Sequence, residues 1–174
     1  MFETTDELVA LQRLLDASHA SSTSHLRSII NEDRTLSARD LVALLTGMKV
    51  LSVATVTSRG EPRISAMDGL FLHATWTFST SGTAAKARHM GARPAVSVAH
   101  IDNEELAVFS HGTVERMRPS DADWTRTIDH WTAHYGSSPL EWGDDIHMFR
   151  YRAHWMVGYA WKRTELLAKR GIEH

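Results

Sequence analysis

The 174-residue chain contains no cysteine. Disulfides, thiolate-held zinc, iron–sulfur clusters and a thiol nucleophile are therefore all excluded. It also lacks a basic excess: 19 lysines and arginines face 21 acidic residues, a formal charge of −2. A duplex-binding domain normally shows the opposite balance, so no nucleic-acid partner is expected. No apolar run approaches the ~20 residues of a membrane span. The opening MFETTDELVA is acidic, without a basic start and an apolar stretch behind it, so a secretory signal is not expected. The expectation is a cytoplasmic protein acting on a small molecule. Hydrophobic residues make up 43% of the chain, enough for one core without staples.

Hydrophobic spacing divides the chain. Leu8, Leu11, Leu14 and Leu15 recur at helical intervals, with Thr5 or Asp6 as the expected cap. A polar stretch follows, then a short helical piece around Leu26, Ile29 and Ile30. Ser37 with Asp40 three residues on resembles a capping box before Leu41, Leu44 and Leu45. The period then changes. VLSVATVT (Val50 to Thr57) reads as a strand, Ser58 to Pro62 as a turn, and Arg63 to Met67 as an antiparallel return. Asp68-Gly69 is expected to bend that strand. Further strands are expected over Leu70–Leu72, Thr75–Ser79, Ala95–Ile101, Leu106–Met117 and within Ile146–Trp161. Between the last two lies a helix, with Trp124, Ile128, Trp131 and Tyr135 on one stripe. Strands of this number and order are expected to form an antiparallel sheet that closes into a small barrel, removing its edges. The fold class is thus mainly β with helices.

Chemistry concentrates in FSTSGTAAKARHMGARP (Phe78 to Pro94). A strand ends in the hydroxyls Ser79, Thr80, Ser81 and Thr83, and a short helix carrying Lys86 and Arg88 begins at once. Free N–H groups at a helix start, with hydroxyls and an ammonium beside them, form an anion site suited to phosphate. The plain alternative is a solvated helix cap. Residues two apart on a helix point roughly 200° away from each other. Lys86 and Arg88 therefore cannot both reach one phosphate, and Lys86 is the better placed.

The stretch from about Leu36 to Met117 resembles the pyridoxamine-phosphate-oxidase-like, FMN-binding split-barrel superfamily. The resemblance rests on V-L-S-V-A-T-V-T, then G-E-P-R, then K-A-R-H-M-x-x-R-P feeding A-V-S-V-A-H, then S-H-G-T-V-E-R-M. It implies a split β-barrel over residues 36–174, preceded by a helical extension over 1–35, and a homodimer with cofactor sites in the cleft. It implies FMN or the deazaflavin coenzyme F420 as cofactor, and hydride transfer to a small substrate. Arg63, Ile64, Ser65 and Ala66 would line the ring, and Lys86 with the preceding hydroxyls would hold the phosphate. Several members carry a base where this chain has Ala84, leaving one cation fewer; Arg63 would have to compensate. Alternation puts Arg63, Ser65 and Met67 on one face, Ile64 and Ala66 on the other. With Ile64 and Ala66 in the core, Arg63 and Ser65 would face the cleft.

Haem binding, or flavin binding without catalysis, is the alternative on the same barrel. Some relatives bind haem, and His73, His100 and His111 lie on or beside strands. His130 and His134 have ligand-compatible spacing but no H-E-x-x-H, so a helix surface is the expected reading. Trp155 and Trp161 would wall a planar ligand or bury area between subunits.

Overall fold

The computed structural model describes residues 2–172. Six strands close into one antiparallel barrel in the order β1-β2-β3-β6-β5-β4. They are β1 (Met48–Val56), β2 (Pro62–Leu72), β3 (Thr75–Ser81), β4 (Ala95–Asp102), β5 (Leu106–Arg116) and β6 (Ile146–Ala160). The helices are α1 (Thr5–Ser21), α2 (Ser24–Ile29), α3 (Ala38–Leu44), α4 (Ala85–Ala92), α5 (Trp124–Tyr135) and α6 (Arg163–Lys169).

Local signals explain the helix starts. Thr4, one residue before the expected cap, forms a capping box with Glu7 at α1. Ser37 and Asp40 form the expected box at α3. Alternation then builds the barrel: Leu51, Val53, Met67, Phe71, Trp76, Phe78, Val96, Val98 and Val108 point inward. α1 covers β6 with Leu8, Leu11 and Leu15, and the Ser18 hydroxyl accepts the Met156 N–H at 2.9 Å. The α5 stripe packs Trp131 against Leu70, Leu72, Met117 and Met148 as a second apolar layer.

One expectation changes. β2 runs through Asp68-Gly69 as a continuous strand instead of bending there, and Leu51 occupies the space a side chain at Gly69 would need. The last strand, β6, is a single strand of 15 residues within the expected stretch. Among the described residues, no helix is long and apolar enough to cross a membrane.

Candidate functional site

The barrel is split on one side. β2 and β3 pair only between Gly69–Leu72 and Thr75–Phe78. Below that point β2 stays with β1, down to Pro62 opposite Val56. β3 stays with β6, out to Ser81 opposite Ile146. A gap therefore opens between residues 62–68 and 79–81, and α4 starts at its edge.

Lys86 lies in the first turn of α4, and its Nζ donates across the gap to the Ala66 carbonyl at 3.3 Å. The turn before α4 is ordered by its own groups. The Thr83 N–H donates to Ser81 Oγ at 3.2 Å, the two hydroxyls are 2.8 Å apart, and the Ala84 N–H donates to the Ser81 carbonyl at 3.0 Å. Ala84, the N-cap, makes no side-chain cap bond. The positive end of the helix thus faces the gap edge without a side-chain acceptor. Ser79, Thr80 and Ser81 are half-buried along the same edge. This donor set fits a phosphate.

The Arg88 guanidinium donates to the Thr83 carbonyl at 2.6 Å, beside the turn that opens α4, and has no bond across the gap among the described residues. Arg63 sits near the start of β2, paired with Glu61 at 3.1 Å.

The expected facing of β2 is reversed. Met67 is 4% exposed and Ile64 75% exposed, so the Arg63, Ser65 and Met67 face turns inward and Ile64 and Ala66 turn outward. Arg63 and Ser65 remain partly open only because they lie at the barrel rim. The outward face is small and apolar beside Lys86, a surface on which a flat ring can rest.

Four further residues adjoin the gap. Asp68 continues the outward face of β2, and the Tyr135 hydroxyl donates to its Oδ2 at 3.0 Å. Burial first, then this bond to Asp68, pushes the Tyr135 hydroxyl up to about 12. Asp145 accepts the Gly82 N–H with its carbonyl at 2.7 Å, and its carboxylate bonds His147 Nε2 at 2.8 Å. A side chain at Gly82 would collide with this pair. Asp68 was legible by alternation; Tyr135, Asp145 and His147 arrive through tertiary contacts that leave no local signal.

The strand histidines are dispersed. His73 Nδ1 meets Glu7 at 3.2 Å, buried His100 bonds the Val50 carbonyl at 3.1 Å, and exposed His111 bonds Ser97 Oγ at 2.8 Å. Trp155 stacks on His111, and Trp161 lies beneath the Arg34 guanidinium. Among the described residues, no three His, Asp or Glu side chains gather as a metal-binding group.

The family model described as pyridoxamine 5'-phosphate oxidase matches residues 38–156, more than half of the chain. With the split barrel, this defines the class: the chain belongs to the pyridoxamine 5'-phosphate oxidase family. Among solved structures, an FAD-binding protein from Mesorhizobium loti is 24% identical at a TM-score of 0.57, covering 72% of this chain and 94% of its own. An F420 reductase is 23% identical at 0.53, covering 66% and 93%. HutZ, the heme storage protein of Vibrio cholerae, is 19% identical at 0.56, covering 64% and 86%. The chain spans 51% of the length of a further neighbour, from Agrobacterium tumefaciens. No curated protein matches the sequence.

Proposed function

We propose that the protein binds FMN or coenzyme F420 in the split between β2 and β3, as a homodimer, and directs hydride transfer to a small molecule. The observation that carries this is the Lys86 ammonium, held in the gap at the open end of α4. The names of the F420 reductase and FAD-binding neighbours support the same cofactor class. When bound, the tricyclic ring supplies the hydride chemistry.

The chain's own residues bind and orient. Lys86, with the hydroxyls of Ser79 to Thr83 and the first N–H groups of α4, holds the phosphate. Ile64 and Ala66 form the floor for the ring and keep water from that side. A second chain completes the cleft. The outer face of β2, β1 and β4 carries exposed Val50, Ile64 and Ile101 around the small residues Ser52, Ala54, Ala66 and Ala99, a surface suited to another copy.

Titration of parent and Lys86→Ala with FMN and with F420 tests the assignment. Loss of a charge-assisted bond predicts weakening by about 1.5–3 kcal/mol. Equal dissociation constants reject it.

Haem binding is a second reading, carried by His111. Its Nδ1 is fixed by Ser97, its ring stacks on Trp155 at 4.8 Å, and among the described residues Nε2 has no protein partner. An imidazole oriented through one nitrogen is arranged to ligate through the other. A Soret band lost in His111→Ala would favour this reading over the flavin one.

A further inference from the structure

Charge changes along the gap. In its inner part stands one ammonium, Lys86, on the Ala66 carbonyl. At its open end lies the turn between β1 and β2, and that turn is basic. Arg59 and Arg63 both pair with the same oxygen of Glu61, at 3.3 and 3.1 Å. Arg93, which follows α4, donates its Nε to the Val56 carbonyl at 2.9 Å, and Val56 pairs with Pro62, next to Arg63. Three guanidinium groups thus share this end with one carboxylate, on a chain whose formal charge is −2. The Arg59 and Arg63 side chains are more than half exposed, and each keeps donors beyond those on Glu61, so an incoming anion can reach them.

The phosphate corner sets a second condition. Lys86 and Arg88 are the cations at the hydroxyl turn, the latter on the Thr83 carbonyl. Asp145 Oδ2 stands where a side chain at Gly82 would lie, so a carboxylate borders the same turn. Among the described lysines, arginines and acids placed there, two positive charges meet one negative. A phosphomonoester carries up to about two negative charges at neutral pH. The single charge of a phosphodiester matches the corner better. Thr83 and Ala85 are exposed, which leaves room for an ester group to continue outward.

We propose that the open end of the gap is a carboxylate subsite, built from Arg59 and Arg63 with Arg93 beside them, and that its cofactor is a phosphodiester with an acidic extension, the chemistry of F420, in preference to the monoester FMN. The proposal rests on the cofactor reading above. Arg63 is three residues from Ala66, about 10 Å along the strand at ~3.3 Å per residue. F420 continues from its phosphate through a lactyl group into glutamates, an extension long enough to cover that span. FMN ends at the phosphate and offers these arginines nothing. Ring and extension do not compete, because Ile64 and Ala66 present the outward face of β2 and Arg63 belongs to the opposite face, at the rim.

The test titrates the full chain with F420, with FO (its phosphate-free parent), with FMN and with riboflavin. Salt is held at about 0.15 M, where a Debye length of about 8 Å suppresses distant charges. Comparing each phosphorylated compound with its own ring cancels any preference between rings. The gain of F420 over FO should exceed that of FMN over riboflavin at least tenfold. Arg59→Gln/Arg63→Gln should lose at least tenfold in F420 affinity, with FMN and FO within twofold. Arg13→Gln/Arg126→Gln removes the same charge from exposed arginines on α1 and α5, and should leave F420 within twofold. Equal gains for the two phosphorylated compounds overturn the proposal. So does an Arg59→Gln/Arg63→Gln variant that binds F420 like the parent, or a loss that Arg13→Gln/Arg126→Gln reproduces. The two failures are separable. A parent that binds FO and FMN, with no effect of Arg59→Gln/Arg63→Gln on F420, loses the subsite alone. A parent that binds none of the four compounds removes the cofactor reading, and the subsite with it.

Discussion

Arg150 is 8% exposed, yet it carries a charge on β6. Its guanidinium is bound by Asp123 before α5 and by Glu115 on β5. Burial opposes the charge on Glu115, but the hydrogen bonds of Arg152 and Arg150 outweigh it and hold the carboxyl below its usual range. Removing Arg150 would leave two carboxylates facing each other across an empty slot. Arg150→Ala should therefore lose about 2–3 kcal/mol in urea unfolding, in line with charged hydrogen bonds in a half-buried setting. A loss below about 0.5 kcal/mol would show that the acids find water instead. No local pattern announces this residue, since F-R-Y-R reads as ordinary alternation. The position of Lys86 in the first turn of α4 was legible, because the helix start could be read from the sequence. The facing of Ile64 and Ala66 was not, because alternation defines two faces without saying which one is inside. Apolar side chains mark a core and a covered outer surface equally.

At the level of elements, periodicity was a good guide wherever a face was buried on one side only. The α5 stripe and the α3 capping box stand as read. The break between β2 and β3 falls at His73-Ala74, where the sequence reading put it, but without the usual turn residues. His73 and Ala74 both adopt left-handed backbone, with φ of 52° and 58°, where asparagine or glycine is usual. Packing of Ala74 on the core and the bond from His73 to Glu7 hold that turn. The outer sheet of β2, β1 and β4 makes its own prediction. Val50 and Ile101 are 56% and 58% exposed on it, away from the phosphate corner. The parent should sediment as a dimer at micromolar concentration, and a Val50→Glu/Ile101→Glu variant as a monomer with unchanged circular dichroism. A monomeric parent, or a variant that stays dimeric, would remove this face as the interface.

The molecule as a whole is tied together by groups that titrate in sequence. His100 joins β4 to β1 from inside the barrel, where burial first, then the charge of Lys49, lowers it from 6.5 against the pull of the Val50 carbonyl. His130 is lowered likewise on α5. Glu7 links α1 to the β2–β3 turn. Burial works against its charge, but hydrogen bonds from Thr4 and His73 prevail and lower it from 4.5. Glu115 behaves in the same way on β5. In every case the native state binds fewer protons than the unfolded chain below the unfolded value, so stability rises with pH there. The histidine contribution is complete above about 6.5 and fades as pH falls through the folded values; the glutamate contribution is complete above about 4.5 and fades below. The melting temperature should thus fall in two stages on acidification. His100→Asn keeps a donor for the Val50 carbonyl and removes the proton site, so it should flatten the upper stage and leave the lower one. His130→Asn, on the half-buried face of α5, should flatten it in part without touching the core. Melting profiles of both variants that run parallel to the parent between pH 6.5 and 4.5 would show that acid sensitivity resides in the carboxylates alone.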